Sequence, residues 1–450
     1  MHEGRLRDRN EDKGVLIFVA VLALCLQVLA PYLVWPSRWN IPTHLVTGFC
    51  ITGYVIPGLF TDVWAGYSDR TINYFIGINF LGAMALCLGT VLPLFVINHN
   101  YPSPFLKFYN LKISSYFITK RVFTLFFLAV IGIYVAYAIM GFVPLLASDP
   151  LSARQFRGEY REPYYRAAIL FRLSFFAIST TIPVMLLAAW ENKSKYMFIV
   201  AFLGALALLL SLSRGPMATG ILFFVGILAA SQRSRTAIRW YILAVIGLFP
   251  LASILFYGIG ILFKVDAMVD MYNGSIFENI AAGSPDISDQ LTWLNGFIRG
   301  DYFSYGRTIF GGLVPGNYAW NPSVWTLSYD DIGLDISNMG TGGLRLTAAE
   351  WGYANFGWFG VVVLPLLSGI FNGFMLLYLK KAEGVLNRMQ FATALLVYGT
   401  LGQQIASFYT LSMYSIPSAA LALYIWQSNS KALHLRTALL NRRRLQGIRN

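Results

Sequence analysis

Charge is what this chain has least of. Only 12% of its 450 residues are Asp, Glu, Lys or Arg, while 56% are hydrophobic. A water-soluble domain needs roughly a quarter of its residues charged to cover its surface, so this composition suits lipid. Cysteine is also scarce. Cys25, Cys50 and Cys87 all lie in apolar stretches without CxxC spacing, which excludes a disulfide framework and a thiolate metal site. The four histidines are His2, His44, His99 and His434. None falls in the loops from 147 onward that are assigned to the outside below, which disfavours a histidine base or zinc site there. No Walker loop is present to hold ATP, and no internal repeat or low-complexity tract interrupts the chain. No small-residue cleavage site follows the first apolar run, so that run reads as a retained helix.

What the chain does have is apolar length; its mean hydropathy is +0.57. A helix needs about 20 apolar residues to cross the hydrocarbon. Such runs recur at 14–35, 43–61, 72–97, 122–146, 166–190, 195–212, 215–231, 239–262, 345–379, 389–410 and 412–427. The 345–379 run exceeds what one span requires. Only helices or a closed barrel satisfy the backbone in lipid, and runs this long exclude the barrel. The expected fold is therefore an all-α polytopic membrane protein with 11–12 transmembrane helices. Aromatics reach 16%, with 11 Trp and 26 Tyr, which suits rings at both interfaces.

The net charge of +13 sits in short clusters between apolar runs, which fits the positive-inside rule and not nucleic-acid binding. Lys193 and Lys195, then Arg233, Arg235 and Arg239, then Lys380, Lys381 and Arg388 mark cytoplasmic turns, as do Lys107, Lys112, Lys120 and Arg121. The tail with Lys431, Arg436 and Arg442 to Arg444 joins them. The segment 263–344 then falls outside, and its three cations against nine acids agree with that side. The basic N-terminal tail (Arg5, Arg7, Arg9, Lys13) also asks to be cytoplasmic, which needs an even number of crossings before residue 98. Three runs are visible there, so either a further crossing or re-entrant piece is hidden in that stretch or the tail lies outside; a cytoplasmic tail and a total near twelve are the favoured expectation. The chain divides into N-terminal helices (1–146), an arginine loop (147–165), central helices (166–262), a large loop (263–344), and C-terminal helices with a basic tail (345–450).

Four arginines stand where orientation rules disfavour them: Arg154, Arg157, Arg161 and Arg166, within and beside DPLSARQFRGEYREPYY. All are Arg and none is Lys, which points to bidentate recognition of phosphate or carboxylate. In a continuous helix Arg154, Arg157 and Arg161 would share one face. Snorkelling to lipid headgroups is the plainer reading. Arg214 sits in SLSRGPM between two apolar runs, where Gly215 would supply the reversal and Pro216 the next helix's first turn. Arg345 and Glu350 enter the 345–379 run together. Glu350 either pairs with an arginine such as Arg345 or acts on an acceptor hydroxyl as base. The large loop's Trp293, Tyr302, Tyr305, Tyr318, Trp320, Trp325 and Tyr329 either stack on sugar faces or pack the loop on itself.

Three pieces occur together in order: LSARQFRGEY, a helix-SRGP-helix turn, and a late large loop followed by GGLR and EWGYANFGWFG. From about 145 to 427 this arrangement resembles the Wzy-type O-antigen and exopolysaccharide repeat-unit polymerases, related in architecture to O-antigen ligases. The resemblance implies a glycosyltransferase C-like fold with a large periplasmic loop in the bacterial inner membrane. It implies transfer of a growing chain from one undecaprenyl-pyrophosphate carrier to the repeat unit on another, without metal, nucleotide or other cofactor. On that model Arg154, Arg157 and Arg214 hold the pyrophosphate with Arg161 and Arg345, and charge stabilisation by Arg214 and a base role for Glu350 supply the catalysis. Arg299, Arg307, Tyr353 and Asn355 would meet sugars. Membrane lipid, a flippase and a chain-length regulator are the further candidate partners. The ligases use a histidine in this region and this chain has none. A flippase or transporter for lipid-linked sugars is the alternative from another class.

Overall fold

The computed structural model describes residues 2–96, 115–232, 234–262, 269, 275–284, 286–300, 302–314, 318–329, 343–383, 386–406, 410–411, 420–421 and 424. Most of the expected run 412–427, the basic tail, and Lys107 and Lys112 lie outside them. The helices are α1 (His2–Val34), α2 (Ile41–Phe60), α3 (Asp69–Val96), α4 (Ser115–Met140), α5 (Pro150–Gln155) and α6 (Arg161–Asn192). There follow α7 (Lys195–Leu210), α8 (Arg214–Ser231), α9 (Arg235–Leu262), α10 (Ile276–Gly283), α11 (Asp286–Gly300), α12 (Ala348–Ala382) and α13 (Arg388–Ala406). Six stretches are long and apolar enough to cross a bilayer by length and composition, and α7, α8 and part of α9 are shorter apolar helices. No strand occurs among the described residues. The chain is an all-α polytopic membrane protein.

Buried side chains form two cores. One joins α4, α6, α7, α8 and α13 with parts of α2, α9 and the end of α12. The other joins α1, α3, α11, the start of α12 and the turns around Trp325. Polar ties at one end of the bundle define its direction. Lys380 Nζ donates to Val34 O at 3.1 Å, and Trp35 Nε1 and Ser37 Oγ each donate to Glu383 at 2.7 Å. Arg38 reaches Gln232 O at 2.7 Å, and Arg388 lies 4.0 Å from Glu191. The turns after α1, α6, α8 and α12 therefore share the lysine-bearing end. The turns after α2, α4 and α7 and the segment between α9 and α12 share the other.

That geometry corrects the reading of the N-terminus. Three stretches long and apolar enough to cross, α1, α2 and α3, precede residue 97, so α1 starts at the end opposite Lys380 and Lys381. No hidden crossing exists in that stretch. A π-helical turn at Ile51–Val55 does interrupt α2, and it aims Tyr54 at α11, where Gln290 Nε2 donates to its hydroxyl at 3.0 Å.

The over-long run at 345–379 is a hairpin, not a span. Phe356 (φ −138°, ψ 18°) and Gly357 (φ 60°, ψ −148°) break α12. The backbones of Gly352 and Gly360 then touch, since a Cβ on Gly360 would lie 2.0 Å from Gly352 O. Residues eight apart in a continuous helix are about 12 Å apart, so the chain must double back. The short arm, 348–355, runs against α3 in one direction, with Tyr353 by Tyr74 and Ala349 by Gly82. The long arm, 358–382, runs beside α3 in the other, with Trp358 by Gly77 and Gly369 by Gly89.

Glycine makes this contact as close as two backbones allow. A Cβ on Gly89 would stand 2.2 Å from Leu366 O, and one on Gly369 2.4 Å from Leu86 O. Gly369→Val must push α3 and the long arm apart. It is expected to destabilise the protein by about 1–3 kcal/mol. A lowered midpoint in thermal unfolding of detergent-solubilised protein checks this; an unchanged midpoint would mean that the helices do not meet there.

Candidate functional site

The arginine loop is not the single helix its spacing suggested. α5 ends in a Schellman motif, with Arg157 N donating to Ser152 O and Phe156 N to Ala153 O. The left-handed position, usually glycine, is Phe156 at φ 53°. Its ring stacks on Tyr164 at 3.7 Å between centroids, and this packing holds the unfavourable backbone. Arg157 is then extended (φ −103°, ψ 163°), Gly158–Tyr160 forms a 3-10 turn, and α6 begins at Arg161. Arg154, Arg157 and Arg161 thus stand on three local structures and form no helical stripe. Arg154 is exposed, Arg157 and Arg161 are half-buried, and Arg161 lies over Tyr165.

Beside this loop, a cleft of 660 Å³ opens between the end of α4 and the 141–148 turn, with Tyr137, Ser148, Glu159 and Tyr160 in its lining. Tyr160 closes its base through Ser148 Oγ at 2.7 Å and the Asp149 amide at 3.2 Å. One further cation escaped the sequence reading. Arg172 lies three turns into α6, where its guanidinium bonds the Tyr164 hydroxyl and covers that ring at 5.2 Å. An arginine inside an apolar run was itself the available signal.

Arg214 opens α8 at the same end of the bundle; its side chain lies outside the described residues. The reversal before it belongs to Leu212 (φ 56°), not to Gly215, which is already helical. Ser213 N and Leu212 N bond Leu208 O and Leu209 O in a second Schellman motif. Pro216 does fall in the helix's first turn, as its type prefers.

The most buried polar group of interest is at the start of the α12 hairpin. Thr347 and Glu350 form a capping box: Glu350 N donates to Thr347 Oγ1 at 3.2 Å, and Thr347 N to Glu350 Oε2 at 2.8 Å. Glu350 is 0% exposed, and Asn79 Nδ2 donates to its other oxygen at 3.3 Å. Asn79 stands ten residues into α3, about 15 Å from its start and more than a turn below Tyr74. The short arm therefore starts deep and rises, with its N–H end pointing into the bundle. A cavity of 280 Å³ abuts that end, with Gln27, Tyr54, Thr347, Ser368 and Asn372 in its lining.

Arg345 does not pair with Glu350. It reaches Asp286 at 3.2 Å and Asp289 at 3.9 Å on the first turn of α11, leaving its side chain 53% exposed. Gly53 permits this approach, because a Cβ there would lie 2.4 Å from Asp286 Oδ2. Asp286 and Asp289 were not singled out from sequence, although they are i, i+3 on one helix face. Among the described residues, no three His, Cys, Asp or Glu side chains gather as metal ligands.

Two expected sugar contacts are structural in this geometry. Asn355 is 0% exposed, and its Oδ1 accepts from Ser304 Oγ, Gly306 N and Thr308 Oγ1 at 2.6, 3.0 and 3.0 Å. Tyr353 is buried among Tyr74, Phe297, Phe303 and Trp358. Trp293, Trp325 and Tyr329 likewise pack around Phe297, so the loop's aromatics largely pack on one another. Arg299 bonds Asn295 on its own helix, and Arg307 covers Trp320 at 4.8 Å. The side chain of Tyr318 lies outside the described residues.

No family model, curated protein or solved structure matches the chain.

The two carboxylate groupings make a test. A double-mutant cycle on unfolding should give Asn79 and Glu350 a coupling of about 0.5–3 kcal/mol. The exposed Arg345–Asp286 pair should give about 1 kcal/mol or less. Arg345 and Glu350 should show none, and a large coupling there would contradict this geometry.

Proposed function

We propose that the chain is a membrane glycosyltransferase that joins undecaprenyl-pyrophosphate-linked oligosaccharide repeat units at the periplasmic face of a bacterial inner membrane. One observation carries the reading. Arg154, Arg157, Arg161, the start of α8 at Arg214, Arg299 and Arg307 stand toward the end of the bundle opposite Lys193, Lys195, Lys380 and Lys381, and Arg345 lies deeper, beside Asp286 and two residues before Thr347. A diphosphate leaving group needs its charge met, and guanidinium groups do this without a metal. The leaving pyrophosphate supplies the driving force, so no nucleotide site is required. The 660 Å³ cleft beside the arginine loop offers room for the carrier's polar head. Arg154, Arg157 and Arg161 stand on the first core and Arg345 on the second, so a donor and an acceptor carrier would each find cations of their own.

Glu350 is fully buried and caps the deep end of the hairpin. In this reading it is a positioning residue for the hairpin unless the short arm shifts to admit an acceptor hydroxyl. A second reading has its own support. A half-helix that begins near mid-depth beside a polar cavity is a device of transporters, and it favours movement of a lipid-linked sugar.

Purified protein in lipid nanodiscs, offered a synthetic undecaprenyl-pyrophosphate repeat unit, should yield a ladder of products without nucleotide. Arg157→Ala and Arg214→Ala should each slow it by about 100-fold or more. No ladder from folded protein given its own strain's repeat unit, with movement of a fluorescent lipid-linked sugar across proteoliposomes, would replace the polymerase by the transporter.

A further inference from the structure

The large loop is not free of the hairpin. Ser304 N donates to Ala354 O at 2.8 Å, and Asn355 holds Ser304, Gly306 and Thr308 together. Leu411 N donates to Ile309 O at 2.9 Å, fixing the same stretch from a second side. Phe303 packs on Gly357 and Phe356 on Gly306, each between 3.4 and 3.6 Å from the Cβ position of the glycine. The segment 302–314 is therefore locked at the depth of the 356–357 turn, where the short arm ends and the long arm begins.

That depth is recognisable from α3. Trp358 lies 5.7 Å from Tyr74, and Tyr74 sits one turn inside Arg70, whose guanidinium covers its ring. This is the level at which a transmembrane helix leaves hydrocarbon for headgroups, and amphipathic rings prefer it. Apart from Arg307, the side chains that 302–314 turns outward are apolar or amphipathic: Tyr302 is 79% exposed, Tyr305 72%, Phe310 60% and Val314 54%. Phe359, the next residue after Trp358, is 71% exposed, and the surface continues down the long arm through Val362 and Leu367. Arg307, within the segment, and Arg299, just before it, are exposed as well. An exposed, mostly apolar surface bonded to the start of a lipid-facing helix shares that helix's surroundings.

We infer that residues 302–314 form an interfacial anchor, with Tyr302, Tyr305, Phe310 and Val314 immersed in the lipid headgroup and upper acyl region. Arg307 within it and Arg299 beside it meet lipid phosphates. The partner is the lipid surface itself. The exposed tyrosines then serve lipid and not a sugar chain, and the large loop lies down on the membrane instead of standing above it. This does not depend on what the protein catalyses.

The test uses the full-length protein in nanodiscs of phosphatidylethanolamine and phosphatidylglycerol. These are doped with a phospholipid carrying a photoactivatable diazirine on the upper acyl chain, and mass spectrometry maps the adducts. The long arm around Phe359 and Leu367 is the internal control for labelling. Adducts on the peptide containing 302–314, at a yield within about threefold of the Phe359 peptide, are the expected result. Adducts on the control without any on 302–314 would overturn the proposal. So would equal labelling of Tyr302 and Tyr305 by hydroxyl radicals in nanodiscs and in detergent-free unfolded protein, which would put both rings in water and favour a glycan surface.

Discussion

A helix that begins inside a bilayer has no water to take its first N–H groups, and every one of them must find a partner in the protein. The short arm of α12 begins in that position. Thr347 and Glu350 answer the requirement together, one hydroxyl and one carboxylate each taking a backbone N–H of the other. Asn79 then supports the carboxylate from α3. Remove this cap and the arm loses its start; without the arm, Asn355 has nothing to hold the 304–308 turn, and the aromatic cluster around Phe297 loses Trp351 and Tyr353. The large loop's order thus descends from a polar contact buried below it.

Two cores share the work differently. The one around α4, α6, α7 and α8 is assembled largely from aliphatic and aromatic side chains of consecutive helices. The one around α1, α3 and α12 joins the first hundred residues to the last hundred, partly through glycine, with carbonyl oxygens of one helix against the backbone of the other. The arginine loop stands on the first core and Arg345 on the second. Any chemistry that needs both groups of cations takes place across the line where the two cores meet.

How much of this was legible depended on which force was writing. Hydropathy dominates in lipid, so ten of the eleven apolar runs fall on helices. Even so, α1 begins twelve residues before its run, α4 lies six to seven residues before its own, and 345–379 is broken at 356–357. The run 412–427 lies mostly outside the described residues. Backbone geometry was harder to read. Three helices end in left-handed residues that are not glycine: Phe156, Lys193 and Leu212. Packing over-rides intrinsic preference at the buried Phe156 and Leu212, and no residue type announces it. The supposed helical stripe of Arg154, Arg157 and Arg161 failed for that reason, as did the role given to Gly215. The hairpin did leave signals, namely a run of 35 residues and Gly352, Gly357 and Gly360 close together. Asn79 and Arg172 were visible too, as polar residues alone in apolar runs; their partners, 271 and 8 residues away, were not.

The sequence separation between Asn79 and Glu350 has a consequence in time. Translation adds about 5–20 residues per second, so 271 residues take roughly 14–54 s to make. Throughout that interval α3 is already synthesised, with a bare amide and a row of glycines on the face that α12 will cover. The nascent chain must therefore be chaperoned by lipid, by the insertion machinery or by α1 until the C-terminal helices arrive. The grip between α3 and α12 is among the last contacts the newborn protein can make.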